Sequence, residues 1–162
     1  MAKQGTGVSF NGIMTELKLR HFSVVYTLCG DEPYFNDKIC DKLEAEILTE
    51  AEKGFNQSVF YGKEIDTLSI VSAAKRYPMM AERQVIIIKE AQYLKNLDVL
   101  NPYLENPLKS TVLVLLFRGN GQLKKTNTFK LLSKYTVFES AKIPDYKLTE
   151  WLEIYLKDKG YK

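Results

Sequence analysis

The sequence holds one histidine and only two cysteines in 162 residues. With one histidine and two separated cysteines, neither a zinc site nor a nucleophile triad can be assembled. His21 has no second histidine, cysteine or carboxylate pair near it in the chain and is expected to be structural. Cys29 ends an apolar run and Cys40 lies in a helical stretch, so both are expected as reduced, packed thiols. No apolar run approaches the roughly 18–20 residues that cross a bilayer. Residues 1–11 lack the apolar centre of a signal peptide, so a cytoplasmic chain without membrane contact is expected. The net charge is only +3, which gives no general electrostatic case for nucleic acid. Repeats and low-complexity segments are absent as well.

What is present is the composition of one soluble globular core, 45% hydrophobic and 27% charged. Residues 1–22 read as a flexible N-terminus with a short helix over residues 13–22. Residues 23–162 read as one domain in which strands and helices alternate. Strands are expected over residues 24–29, 55–61, 84–88, 111–117 and 137–139. Helices are expected over residues 34–53 (stopped by Gly54), 68–77, 96–105, 127–135 and from Ile143-Pro144 to Gly160. The strands are continuous apolar runs, not alternating ones, which marks strands buried on both faces. The expected fold is α/β, a five-stranded, mainly parallel sheet covered by helices on both faces.

The first strand runs into Gly30-Asp31-Glu32-Pro33 and a helix, where a nucleotide-binding α/β protein carries its phosphate loop. No GxxxxGK[ST] is present, and Asp31 and Glu32 would repel a phosphate. The third strand ends in Lys89-Glu90, where a P-loop ATPase holds magnesium with an acidic pair. A lysine there repels the metal. The loop from Gly119 to Thr126 has no glycine directly before its Lys125-Thr126 pair, so the spacing of a phosphate loop is wrong and it reads as a basic, solvated connection. The domain is therefore P-loop-like without a working phosphate loop, and no cofactor, metal or catalysis of its own is expected.

One stretch is left over. Tyr77-Pro78-Met79-Met80-Ala81-Glu82-Arg83 joins a helix to a buried strand and places two long unbranched apolar side chains at a corner. Either the methionines fold inward and close the core, or they are offered to a partner.

Taken in order, these residues resemble the N-terminal domain of the bacterial DNA polymerase III delta subunit family, a clamp-loader component. The resemblance rests on Gly30-Asp31-Glu32-Pro33-Tyr34 after an apolar strand and on Pro78-Met79-Met80-Ala81 with Arg83 before another. It rests also on Tyr103-Leu104-Glu105-Asn106-Pro107 before a third, and on the Pro144 helix with Trp151. The likeness implies an AAA+-like fold without ATPase chemistry, in a non-catalytic subunit of a DNA-directed DNA polymerase complex. It implies that Met79 and Met80, flanked by Pro78, Ala81 and Arg83, enter an apolar pocket on the sliding clamp. Leucine and phenylalanine are the commoner pair there. It also implies lid and collar domains beyond residue 162, contacts with other loader subunits in the longer protein, a monomeric isolated domain, and only weak or indirect contact with DNA. The competing reading is a degenerate P-loop-like domain that binds nucleic acid through Lys124, Lys125 and Lys130.

Overall fold

A computed structural model describes residues 8–119, 121–141 and 147–160. Five strands form one sheet: β1 (Val25–Gly30), β2 (Gln57–Tyr61), β3 (Gln84–Lys89), β4 (Thr111–Leu116) and β5 (Thr136–Ser140). Their order is β2-β3-β4-β1-β5, and every pairing between them is parallel. The helices are α1 (Phe10–Lys18), α2 (Pro33–Glu46), α3 (Glu50–Asn56), α4 (Thr67–Ala74), α5 (Asn101–Glu105), α6 (Asn127–Leu132) and α7 (Leu148–Asp158).

The continuous apolar strands have the cause that their composition implies. Along β1, Val25 and Cys29 pack on one face against Ile70 and Ala74 of α4, Leu104 of α5 and Leu132 of α6. Tyr26 and Leu28 pack on the other face against Ile13 and Leu17 of α1 and Ile39 and Leu43 of α2. Successive side chains point to opposite faces, so a strand covered on both sides is apolar nearly throughout, with Thr27 the one buried polar residue of β1. Leu28, Ile87 and Leu113 are fully buried, and each contributes about 1.5–3 kcal/mol through burial.

The structure moves several element boundaries. The N-terminal helix begins at Phe10, because the Ser9 side chain accepts from the Gly12 N–H, and it ends at Lys18, before Phe22. Ile13 and Leu17 are buried, so this part of residues 1–22 is packed against α2 and the sheet. Arg20 follows in a left-handed conformation (φ 61°) and donates to the Glu46 and Ile47 carbonyls.

The single helix expected over residues 34–53 is two. Thr49 accepts from the Glu52 N–H while the Glu52 carboxylate accepts from the Thr49 N–H, a reciprocal cap that starts a new helix. Gly54 consequently lies inside α3 instead of stopping a helix, and β2 starts at Gln57. The helix expected over residues 96–105 splits into a 3₁₀ turn, Leu97–Leu100, and α5, because Pro102 has no N–H for the ladder. The opening of the last helix at Ile143-Pro144 lies outside the described residues; α7 is described from Leu148.

Cys29 and Cys40 are buried and unpaired. Burial pushes both thiols up from 9.0 to about 12. The unfolded chain releases these protons first, so their contribution to stability is complete below pH 9.0 and is lost as the pH rises toward about 12. Urea unfolding at pH 8 and pH 10 is expected to show the lower midpoint at pH 10. An unchanged midpoint would mean that the thiols are not buried as described. No helix among the described residues is long and apolar enough to cross a membrane.

Candidate protein-docking site

The two ends of the sheet have different characters. At the amino end of β3, the Met79–Met80 corner projects from the fold, with Met79 60% and Met80 99% exposed. The inward-folded alternative is thereby excluded. Met80 sits in the left-handed region (φ 55°), which costs a residue with a Cβ about 1–2 kcal/mol. The surroundings hold it there. Asn56, buried at the end of α3, accepts from the Met79 N–H at 2.7 Å and donates to the Met79 carbonyl at 2.9 Å. It also donates to the Glu52 carbonyl at 3.1 Å.

Both roots of the corner are fixed too. Buried Gln84, the first residue of β3, donates to the Ala73 and Arg76 carbonyls at the open end of α4. The Thr111 hydroxyl donates to the Ala74 carbonyl at 2.7 Å. Pro78 and Ala81 are half-buried beside the methionines. The Arg83 guanidinium lies 5.2 Å from the centre of the Phe22 ring, with Arg20 5.0 Å from the same ring. Arg83 therefore joins the corner to the segment after α1. His21 lies at the surface near Glu16 and not in the core.

The carboxyl ends of the strands are about 17 Å away, six residues along β3 at roughly 3.3 Å per step. There Gly30, Asp31 and Glu32 lead into α2, and each of their N–H groups is already used. Gly30 donates to Gly119 O at 3.1 Å and Asp31 to Ser140 O at 3.3 Å. Glu32 donates to Ser140 Oγ at 3.1 Å, and its own carboxylate caps the Tyr34 N–H at 3.1 Å. Pro33 has no N–H to offer. Trp151 and Tyr155 of α7 pack edge-on against Tyr34, with ring centres 5.4 and 5.5 Å away. Lys38 pairs with Asp158 at 2.6 Å beside them. A phosphate at this helix start would meet a carboxylate and aromatic rings, and no open row of donors.

Lys89 and Glu90 line a neighbouring cavity of about 280 Å³ with Asp37, Asp41 and Arg118. Burial works against the charge of Lys89, but the Glu44 carboxylate at 3.4 Å, with Cys40 and Tyr61 adding to it, raises the ammonium above its ordinary range. Lys89 is thus held as a cation at the carboxyl end of β3. Of the three lysines in the nucleic-acid reading, Lys124 is held by Glu139 at 2.6 Å, and that hydrogen bond raises its pKa. Lys125 and Lys130 are exposed on the connection and on α6.

This combination defines a class: a parallel five-stranded α/β domain, with the N–H groups of Gly30, Asp31 and Glu32 turned inward at one end of the sheet and an apolar corner held rigid at the other. The chain belongs to the DNA polymerase III delta subunit family, whose description, "DNA polymerase III, delta subunit", matches residues 26–141. It is 26% identical over 140 residues to DNA polymerase III subunit delta of Bacillus subtilis (strain 168), a match covering 80% of this chain and 40% of that protein. Among solved structures, the Bacillus subtilis DNA clamp loader delta protein superposes with a TM-score of 0.80 at 23% identity, over 93% of this chain and 48% of that one. A DNA polymerase III gamma subunit-related protein of Thermotoga maritima gives 0.52 at 15%, over 90% and 49%. These two likenesses bear on the fold. The chain spans less than half the length of these relatives.

Proposed function

We propose that this chain is the clamp-docking part of a clamp-loader delta subunit, and that Met79 and Met80 are its anchor in an apolar pocket of the sliding clamp. The observation that carries this reading is the corner itself, two flexible apolar side chains at 60% and 99% exposure on a backbone fixed by Asn56. A rigid backbone with adaptable thioether side chains lowers the ordering cost of docking and still lets the anchor fit its pocket. The family relationship supplies the partner.

The chain makes and breaks no covalent bond in this role. ATP-driven subunits of the loader would present the domain to the ring. The anchor would then bind the clamp form whose interface can part, and the difference in affinity between the two clamp forms is the work available. The inward-turned donors at Gly30–Glu32 and the cation at Lys89 support a domain that leaves nucleotide to other subunits.

The test is a titration of the immobilised clamp from the same organism with this chain at low and high salt. Saturable binding that changes little with salt is expected, with no saturable binding to primed DNA. A nucleic-acid domain making six or more phosphate contacts would instead lose about 10³-fold in DNA affinity between 50 and 200 mM salt. Failure to bind the clamp, or that steep dependence on DNA, would overturn the reading.

A further inference from the structure

We propose that the docking surface extends onto the last turn of α3, where Phe55 is a third apolar anchor for the clamp and Asn56 keeps the two segments in register. This rests on the clamp-docking reading above. The three most exposed large apolar side chains among the described residues are Met80 at 99%, Phe55 at 77% and Tyr77 at 75%. Tyr77 and Met80 share one segment and Phe55 lies on another, and these are the two segments that Asn56 ties together. Phe55 directly precedes Asn56, one peptide step from the residue that grips the Met79 backbone. A phenylalanine in water at the end of a helix has no folding role to justify it, and clustered exposed aromatic residues mark interfaces.

The charges nearby choose the kind of partner. Lys53 is paired with Glu50 at 2.6 Å, Glu52 serves the α3 cap, and Glu82 is exposed at the corner. Aromatic residues that stack on nucleic-acid bases sit in basic grooves; Lys75 and Arg76 are exposed beside Tyr77, but on α3 the one lysine near Phe55 is tied to a carboxylate. An apolar protein surface fits it better. Asn56 acts as a positioning residue: its two hydrogen bonds to Met79 fix α3 to the corner before any partner arrives, and its bond to the Glu52 carbonyl orients it within α3.

The proposal is tested on the intact chain with the sliding clamp of the same organism. Phe55→Ala is expected to weaken binding about tenfold with an unchanged urea midpoint, since the side chain is exposed. Hydroxyl-radical footprinting of the unsubstituted chain should show Phe55 shielded when the clamp is added. Asn56→Asp keeps the acceptor for the Met79 N–H but loses both donated bonds. It should weaken binding in the parent chain and add nothing once Phe55, Met79 and Met80 are all alanine. If Met79→Ala with Met80→Ala abolishes binding while Phe55→Ala binds normally and Phe55 stays open to oxidation, this inference falls and the docking reading stands. If no variant changes clamp binding, the docking reading falls first.

Discussion

Replacing Met79 and Met80 together by alanine is expected to weaken clamp binding by about 2 kcal/mol or more, roughly 30-fold in Kd, with folding stability unchanged. The first half follows from what the side chains do in the free chain. Met80 is 99% exposed, so almost its whole surface remains to be buried on docking, where a methionine is worth about 1.5–3 kcal/mol. Met79 is 60% exposed and has less left to bury, so Met80→Ala alone should show the larger single effect. The second half follows from the same exposures. Neither side chain belongs to either face of the core, and truncation of a surface residue shifts stability by less than about 0.5 kcal/mol. The loss should appear in the dissociation rate and should persist at high salt, because no charge is removed. Surface plasmon resonance of the chain and its variants over the clamp, paired with urea melts, separates the two halves. A folded double variant that dissociates at the parent rate would remove the methionines from the interface.

The architecture was legible because it follows from local rules. Strands that are apolar almost throughout are buried on both faces, and β1 fits that rule: it is buried at every residue, with Val25 and Cys29 in one core and Tyr26 and Leu28 in the other. Some boundaries were misplaced although a local signal existed: Thr49-x-x-Glu52 spells a capping box, yet helical spacing carries straight across it. The exposed corner was legible too, from a proline followed by two methionines. What holds it was not. Asn56 reaches across 23 residues to the Met79 backbone, and Gln84 and Thr111 reach back to the end of α4. Those are ordinary polar residues whose meaning depends on the strand order β2-β3-β4-β1-β5, which no spacing rule encodes. Phe55 was hidden for a related reason. Read as part of a strand it would be half-buried, and only the extra helix α3 turns it out to solvent.

Gly30→Ala is expected to cost about 3 kcal/mol or more of folding stability, while Gly54→Ala is expected to add about 0.5–1 kcal/mol. The contrast tests how the phosphate-loop position is closed. Gly30 has φ 107°, a conformation open to glycine, and a Cβ there would overlap the backbone oxygen and nitrogen of Ser140. The two strains add: an alanine would have to leave its backbone angle and push β5 aside. That displacement would break the bridge to Gly119 and the Asp31 and Glu32 contacts to Ser140 together. Gly54 lies within α3 with nothing within 4 Å of an added Cβ, so alanine there simply removes the entropy cost of glycine in a helix. Urea unfolding of the two variants beside the parent chain reads both signs. If Gly30→Ala unfolds within 1 kcal/mol of the parent, the loop is not packed against Ser140, its N–H groups are open, and a phosphate could be held there after all. The large penalty would therefore report more than stability: it would show the turn that ends β1 packed on β5, with the N–H groups of Gly30, Asp31 and Glu32 directed at Gly119 and Ser140.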